Sequence, residues 1–202
     1  MKTKRVDTRR MVLLAMLSGI LLMMSFTPLG YLNIGPLAIS LNMIPVAIGA
    51  VALGPGGGAF LGAVFGITSC LQCVGIGGTS AMGVILFEIS PALTILQRFL
   101  TRVLAGWLTG IVYRGLRKLR FNYAAYAAGF GAAFLNTLFF MAALVLLFGQ
   151  TEYLKELIAG KNILGFVASF VGVNALVEML ATTVAVGAVC KALEKLKMIG
   201  GT

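Results

Sequence analysis

Residues 123–148 of the chain read YAAYAAGFGAAFLNTLFFMAALVLLF, a run that contains no charged side chain. A helix crosses about 30 Å of hydrocarbon with about 20 predominantly apolar residues, because each residue adds about 1.5 Å to its length. This run therefore predicts a helix that spans a membrane. Three other runs of sufficient length and apolar character occupy residues 11–28, 89–113 and 163–190.

The composition of the whole chain agrees with a lipid environment. Of 202 residues, 59% are hydrophobic and 11% are charged, and there is no histidine. A water-soluble domain carries about 25% charged residues, so the composition excludes a soluble cytosolic enzyme. The 26 glycines are about twice the usual share of roughly 7%. In membrane helices glycine often marks close packing between helices.

The apolar stretch after the first run is broken by Pro36, Pro45 and the glycine-rich turn at 54–58. Proline and glycine interrupt helices, so this stretch predicts two shorter helices over 42–53 and 59–70. With the four long runs, they make six predicted helices.

The predicted fold is therefore an all-α integral membrane protein, a single domain over 1–202 built as a six-helix bundle. Segments 29–41 and 71–88 are rich in glycine, proline and apolar residues, which is unusual for solvated loops, and we expect them to form lids. Segment 149–162 predicts a short amphipathic surface helix, because its charged residues are spaced three and four apart.

The distribution of charge predicts the orientation. Of the sixteen lysines and arginines, twelve fall on the side that holds the N-terminus, and Lys155 and Lys161 fall on the other side. Cytoplasmic loops carry such an excess, so both termini are expected in the cytoplasm and the basic residues at anionic lipid headgroups rather than on nucleic acid. The twelve are Lys2, Lys4, Arg5, Arg9, Arg10, Arg114, Arg117, Lys118, Arg120, Lys191, Lys195 and Lys197.

The three cysteines suggest little chemistry. Cys70 and Cys73 form a C-x-x-C pair, but a zinc site needs two more ligands, and Cys190 is expected at the opposite face. We therefore expect no metal and no cofactor, and an intramembrane thiol oxidoreductase that uses Cys70 and Cys73 stays as an alternative. The chain has no G-x-x-x-x-G-K-[ST] motif, so any ATP hydrolysis that drives it must reside on another chain.

Small residues recur at four-residue spacing, which lets membrane helices approach closely. Gly58, Gly62 and Gly66 form one such stripe, Gly106 and Gly110 a second, and Ala15 and Gly19 a third. We expect internal packing for most of them. The pair on the first helix is a candidate for contact with a partner subunit.

Polar side chains inside the predicted spans are the most informative. Arg98, Arg102 and Glu178 are each costly in hydrocarbon and should face the bundle interior. From the helical rise, Arg98 lies about 10 Å below the outer end of its helix, and Arg102, Asn136, Asn174 and Glu178 lie about 15–21 Å deep.

Two interpretations of these polar residues at similar depth stay open. One is a structural clasp in which Arg102 pairs with Glu178. The other is the floor of a substrate cavity in which an arginine holds an anionic group with its guanidinium fork. Further hydrogen bonds could come from polar residues on or beneath the lids, namely Tyr31, Asn33, Asn42, Gln72, Glu88 and Gln97.

Several stretches together resemble the substrate-binding S components of energy-coupling factor (ECF) vitamin transporters. They are RMVLLAMLSG at 10–19, PVAIGAVALGPGGGAFLG at 45–62, RVLAGWLTG at 102–110, Asn136-Thr137 and NALVE at 174–178. The resemblance covers nearly the whole chain and is strongest to the pantothenate group, while cobalamin, riboflavin and folate carriers share much of the pattern.

The resemblance implies a multi-pass protein of a prokaryotic plasma membrane that captures a vitamin from outside and has no enzymatic activity of its own. It implies partners, namely a transmembrane coupling protein and two cytoplasmic ATPases, and it implies that Ala15 and Gly19 match the family's docking stripe. For the residues that hold this substrate, the positions of polar side chains within the spans and near the lids lead us to expect Arg98, Arg102, Asn136, Asn174, Glu178, Gln97, Tyr31, Asn42 and Gln72. A channel or self-sufficient secondary carrier is a third hypothesis, although the sequence shows no internal repeat of the kind many such carriers have.

Overall fold

Helices make up most of the chain in the computed structural model, which describes residues 8–27, 30–34, 37–77, 80–158 and 163–196. Lys2, Lys4, Arg5, Lys161 and Lys197 lie outside the described residues. The elements in chain order are α1 (Thr8–Ser25), β1 (Tyr31–Ile34), β2 (Leu37–Ser40), α2 (Met43–Leu53), α3 (Pro55–Leu71), a 3₁₀ turn (Gln72–Val74), α4 (Ala81–Ile89), α5 (Pro91–Lys118), α6 (Ala124–Phe148), α7 (Glu152–Ile158) and α8 (Ile163–Lys195).

Five of the described helices, α1, α3, α5, α6 and α8, are long and apolar enough to cross a membrane. The mostly helical, multi-pass architecture is thus confirmed, whereas the count of six membrane-length helices is not. The exception is α2, which has 11 residues and a length of about 16 Å, roughly half of the hydrocarbon thickness. Most residues of α2 are buried, and they lie on all faces of the helix. This is expected of a helix that is apolar on every face.

Basic residues from distant parts of the chain gather at one end of the bundle. Arg10 near the start of α1, Arg114 and Lys118 on the last turns of α5, and Lys191 near the end of α8 line the same cleft. We call this side the basic end and the opposite side the far end. The beginning and the end of the described chain therefore lie on the same side, as the charge pattern predicts.

The packing of α3 against α5 depends on glycine. A Cβ built on Gly106 would lie 2.1 Å from the Gly58 carbonyl oxygen, and one built on Gly62 would lie 2.4 Å from the Arg102 carbonyl oxygen. Such distances are sterically impossible, so the two backbones approach more closely than any other residue type would allow. This is the close packing that the glycine stripes predict, and it fixes the position of Arg102 relative to α3.

We expect Gly106→Ala and Gly115→Ala to change stability in opposite directions. The new methyl group at Gly106 would overpack α3, and overpacking costs about 1–3 kcal/mol. Gly115 lies on the same helix with no atom within 4 Å of a built Cβ, so alanine there should stabilise the helix by about 0.5–1 kcal/mol. The thermal unfolding midpoint in detergent micelles measures both effects, and equal midpoints for the two variants would contradict the close packing.

The expectation of a purely helical fold is wrong within the segment expected as the first lid. There β1 and β2 pair as an antiparallel hairpin, with Tyr31 opposite Ser40 and Ile34 opposite Leu37. The base of this lid hairpin, residues 31–40, is closed by a hydrogen bond of 3.0 Å from the Leu41 N–H to the Gly30 carbonyl oxygen. In apolar surroundings each unpaired backbone group costs several kcal/mol. Pairing the two strands satisfies the backbone groups that face each other between them, which an irregular loop would not do.

The second lid contains more helix than its glycine content suggests. Ser80 caps α4, and its hydroxyl accepts a hydrogen bond of 3.3 Å from the Gly83 N–H. Pro91 occupies the first turn of α5 directly after Ser90, where its missing N–H costs nothing. The described part of the segment expected as a lid at 71–88 therefore contains a 3₁₀ turn and most of a nine-residue helix.

Candidate functional site

Two buried arginines on α5 form the centre of the candidate site. Arg98 and Arg102 are four residues apart, so they lie on the same face of the helix. Their side chains are 4% and 6% exposed. The guanidinium carbons lie 6.0 Å and 5.8 Å from the centre of the Phe140 ring on α6. The arginine pair is therefore held in the interior of the bundle.

Arg98 is bound by hydroxyl groups from two other elements. Its Nη1 donates to the Ser69 Oγ of α3 at 2.9 Å, and its Nη2 donates to the Ser80 Oγ at the start of α4 at 3.0 Å. Gly83 leaves room for the guanidinium, since a Cβ there would lie 2.6 Å from Nη2. Among the described residues no carboxylate forms an ion pair with Arg98, and its Nε has no hydrogen-bond partner.

Arg102 lies one turn closer to the basic end. Its Nη1 donates to the Arg98 carbonyl oxygen at 2.9 Å and to the Thr101 hydroxyl at 3.4 Å. Its guanidinium carbon is 4.7 Å from the centre of the Phe65 ring, a distance at which a cation is attracted to the aromatic face. These contacts hold Arg102 between α3 and α6, next to Arg98.

Three buried amides provide hydrogen-bonding atoms that the described residues do not satisfy. The Gln97 Nε2 donates to the Phe140 carbonyl oxygen at 3.5 Å, but its Oε1 has no partner. The Asn136 Oδ1 has no partner, and both amide atoms of Asn42 lack one. Buried polar atoms are normally hydrogen-bonded. Unpaired ones suit a site whose remaining partners come from a ligand, and Gln97 contacts Phe140, whose ring lies beside both arginines.

Glu178 connects α8 to the lid hairpin. Its Oε1 accepts a hydrogen bond of 2.5 Å from the backbone N–H of Ser40, at the end of β2. The side chain is 8% exposed, and Asn174 lies half-buried one turn earlier on α8. Since Ser40 pairs with Tyr31, the contact holds the base of the hairpin against the bundle.

Replacing Glu178 by alanine should loosen the lid hairpin. An unsatisfied buried N–H costs about 1–3 kcal/mol, which corresponds to roughly 5- to 150-fold faster hydrogen exchange at the Ser40 amide. Hydrogen–deuterium exchange of the peptide over residues 37–44 measures this change. Glu194→Ala, which removes an ion pair at the basic end, should leave that peptide unchanged. Unaltered exchange in the Glu178 variant would show that the contact is not needed.

Gln72 and Glu88, two further predicted site residues, differ in their surroundings. Gln72 donates from Nε2 to the Ser25 carbonyl oxygen at 2.8 Å and so joins the end of α3 to the end of α1. Glu88 is exposed on α4. The side chains of Tyr31 and Asn33 lie outside the described part of the structure.

The cysteines lie at different ends of the bundle. Cys70 and Cys73 are free thiols near the end of α3, and the Cys73 Sγ donates to the Ser69 carbonyl oxygen at 3.3 Å. Cys190 is also free and directly precedes Lys191 at the basic end. No disulfide joins Cys70 and Cys73 in this structure.

Sequence reasoning missed the neutral partners of the arginines. Phe65, Phe140 and Ser69 are ordinary residues for apolar helices, so their types give no signal. Ser80 does carry one, because a serine directly before an apolar run is typical of a helix N-cap. The hydroxyl of this cap also accepts the hydrogen bond of 3.0 Å from the Arg98 guanidinium.

Comparison with known proteins gives two similarities. A family model described as "ECF transporter, substrate-specific component" matches residues 9–189. The chain is also 26% identical over 191 residues to the pantothenate transporter PanT of Leuconostoc mesenteroides subsp. mesenteroides, an alignment that covers 90% of each protein.

Proposed function

Because the chain belongs to the family of substrate-specific components of ECF transporters, we propose that it binds pantothenate from outside the cell and delivers it inward with an ATP-driven coupling module. Members of this family are membrane transport proteins and not enzymes. The proposal concerns the substrate, the residues that hold it and the partners.

The observation that carries the proposal is the environment of Arg98. This arginine is 4% exposed, its hydrogen-bond partners are the neutral hydroxyls of Ser69 and Ser80, and none of the described carboxylates pairs with it. A buried cation without an anionic partner is costly. A ligand carboxylate would compensate the charge through charge-assisted hydrogen bonds, and pantothenate carries one carboxylate.

The remaining groups of pantothenate also find counterparts. The molecule has one amide and two hydroxyl groups besides its carboxylate, and these groups donate and accept hydrogen bonds. The unpaired amide atoms of Asn42, Gln97 and Asn136 support a site that can match them. Riboflavin, by contrast, has no carboxylate with which to neutralise an arginine.

The partner proposal rests on α1. Ala15 and Gly19 are exposed on this helix, and no atom lies within 4 Å of a Cβ built on Gly19. They therefore do not serve packing among the described residues of this chain. We propose that this face contacts the transmembrane coupling protein, which carries two ATPases on the cytoplasmic side.

Ligand identification tests the substrate. We expect the protein, purified from cells supplied with pantothenate, folate, riboflavin and cobalamin, to release pantothenate in near-stoichiometric amount, as measured by mass spectrometry. Release of a different vitamin, or of none, would contradict the assignment. Uptake in cells that lack the coupling protein tests the partner, because transport that persists there would indicate a self-sufficient carrier.

A further inference from the structure

A second polar site lies at the basic end of the bundle, far from the arginine pair. It is a cleft of about 920 Å³ whose walls come from the start of α1, the α2–α3 turn, the end of α5, the start of α6 and the end of α8. We call it the basic cleft. Its charged lining residues are six basic side chains and one acidic side chain, namely Arg10, Arg114, Arg117, Lys118, Arg120, Lys191 and Glu194.

The acidic side chain does not neutralise the cleft. Glu194 forms an ion pair with Arg117 at 3.1 Å, and the other five basic residues have no such carboxylate partner among the described residues. Like charges brought together in this way repel one another. The arrangement therefore favours the binding of an anion.

Two of the cations are held by neutral contacts. The Lys191 Nζ lies 5.4 Å from the Tyr123 ring and 5.0 Å from the Tyr126 ring. The Arg114 guanidinium packs on Gly54, where a Cβ would lie 2.4 Å from its Nη2. Charged groups that are already ordered lose less conformational freedom when they bind a ligand.

The backbone at Arg120 is a further, independent observation. Arg120 is the second residue after the end of α5 and has a φ of +55°, the left-handed conformation, and its N–H donates to the Arg117 carbonyl oxygen at 3.0 Å. Glycine or asparagine adopts this conformation with less strain. Strained residues cluster at functional sites, so the arginine at this turn is consistent with a need for its charge.

We propose that the basic cleft binds the phosphate-bearing headgroup of an anionic membrane lipid. The guanidinium fork matches phosphate oxygens. The ends of membrane-spanning helices lie at the level of the headgroups, where tyrosines such as Tyr113 and Tyr126 are enriched. Basic pockets between membrane helices bind such headgroups, and the volume of this cleft exceeds what a single phosphate ion needs.

The test compares two double variants with the same loss of charge. Arg114→Gln with Arg120→Asn removes two cations from the cleft, and asparagine still suits the left-handed turn. Arg9→Gln with Lys195→Gln removes two cations from the same end of the bundle that do not line the cleft. Native mass spectrometry of the full chain, titrated with phosphatidylglycerol, phosphatidylcholine or inorganic phosphate, measures binding to each.

We expect the cleft variant to bind phosphatidylglycerol about 30-fold more weakly than the parent protein, and the control variant to lose only a few-fold. Equal losses would overturn the proposal in favour of diffuse surface charge. Equal binding of phosphatidylcholine would overturn it as well. Inorganic phosphate that binds as tightly as the lipid would identify a soluble phosphate as the ligand and overturn the lipid assignment.

A folding control keeps the result interpretable. The unfolding midpoint of each variant is measured in micelles without anionic lipid, and we expect Arg120→Asn alone to unfold no earlier than the parent because it relieves backbone strain. Should the double variant fail to fold, Arg10→Gln with Lys118→Gln removes two other cations of the cleft. Retention of tight phosphatidylglycerol binding by that folded variant would also overturn the proposal.

Discussion

Replacing Arg98 by glutamine is expected to weaken pantothenate binding by roughly 30-fold to several thousand-fold. Loss of one partner of a buried, hydrogen-bonded charge pair costs about 2–5 kcal/mol, and each 1.4 kcal/mol is about a factor of ten in the dissociation constant. Glutamine keeps an amide donor and much of the length of the side chain, so the change removes the charge more than the packing. Isothermal titration calorimetry on the purified protein gives the dissociation constant.

The neutral analogue pantothenol provides the control, because an alcohol replaces its carboxylate. If Arg98 binds the carboxylate, the variant should lose pantothenate affinity while its affinity for pantothenol changes by less than about threefold, a difference of well under 1 kcal/mol. Cys73→Ser, next to the same site, should leave both affinities unchanged. A parallel loss for both ligands would mean that Arg98 has a structural role.

Replacing Gly19 by leucine should reduce transport without affecting binding. The residue lies on the exposed face of α1, where a leucine side chain would separate this helix from a closely packed partner. Overpacking costs about 1–3 kcal/mol, enough to weaken docking roughly 5- to 150-fold. We expect uptake of labelled pantothenate by cells to fall accordingly, while the purified variant binds the vitamin as the parent protein does.

A matched substitution at another glycine separates docking from general damage. Gly131 is half-buried on α6, and a Cβ built on it also has no atom within 4 Å. Gly131→Leu adds the same side chain to a different helix and should keep both uptake and binding. Normal uptake by the Gly19 variant would exclude α1 as the docking face.

The long helices could be predicted from the sequence because crossing a bilayer requires a length that few other structures share. The run at 123–148 is an example, since α6 covers Ala124–Phe148. The lid hairpin escaped prediction because each strand has only four residues, too few to show an alternating pattern. What decides its structure is the need to pair its backbone, a property that side-chain types do not encode.

The candidate site could be predicted only in part, for a related reason. Charged side chains in apolar helices are conspicuous, so Arg98, Arg102 and Glu178 could be selected directly. Their partners could not, because contacts such as that between Glu178 and Ser40 join residues 138 positions apart in the chain. Hydroxyl and aromatic partners are common in membrane helices, and only the fold distinguishes them from their neighbours.

The glycine contact between α3 and α5 also limits how cargo can pass through the protein. If one helix slid along the other by a single residue, the side chain of Leu61 or Trp107 would move towards the glycine contact, which has room only for a hydrogen atom. The two helices therefore move as one rigid body that carries Arg98 and Ser69 together. A glycine also brings α6 close to α8, since a Cβ built on Gly129 would lie 2.7 Å from the Thr182 carbonyl oxygen, so an exit route for cargo would have to avoid this contact as well.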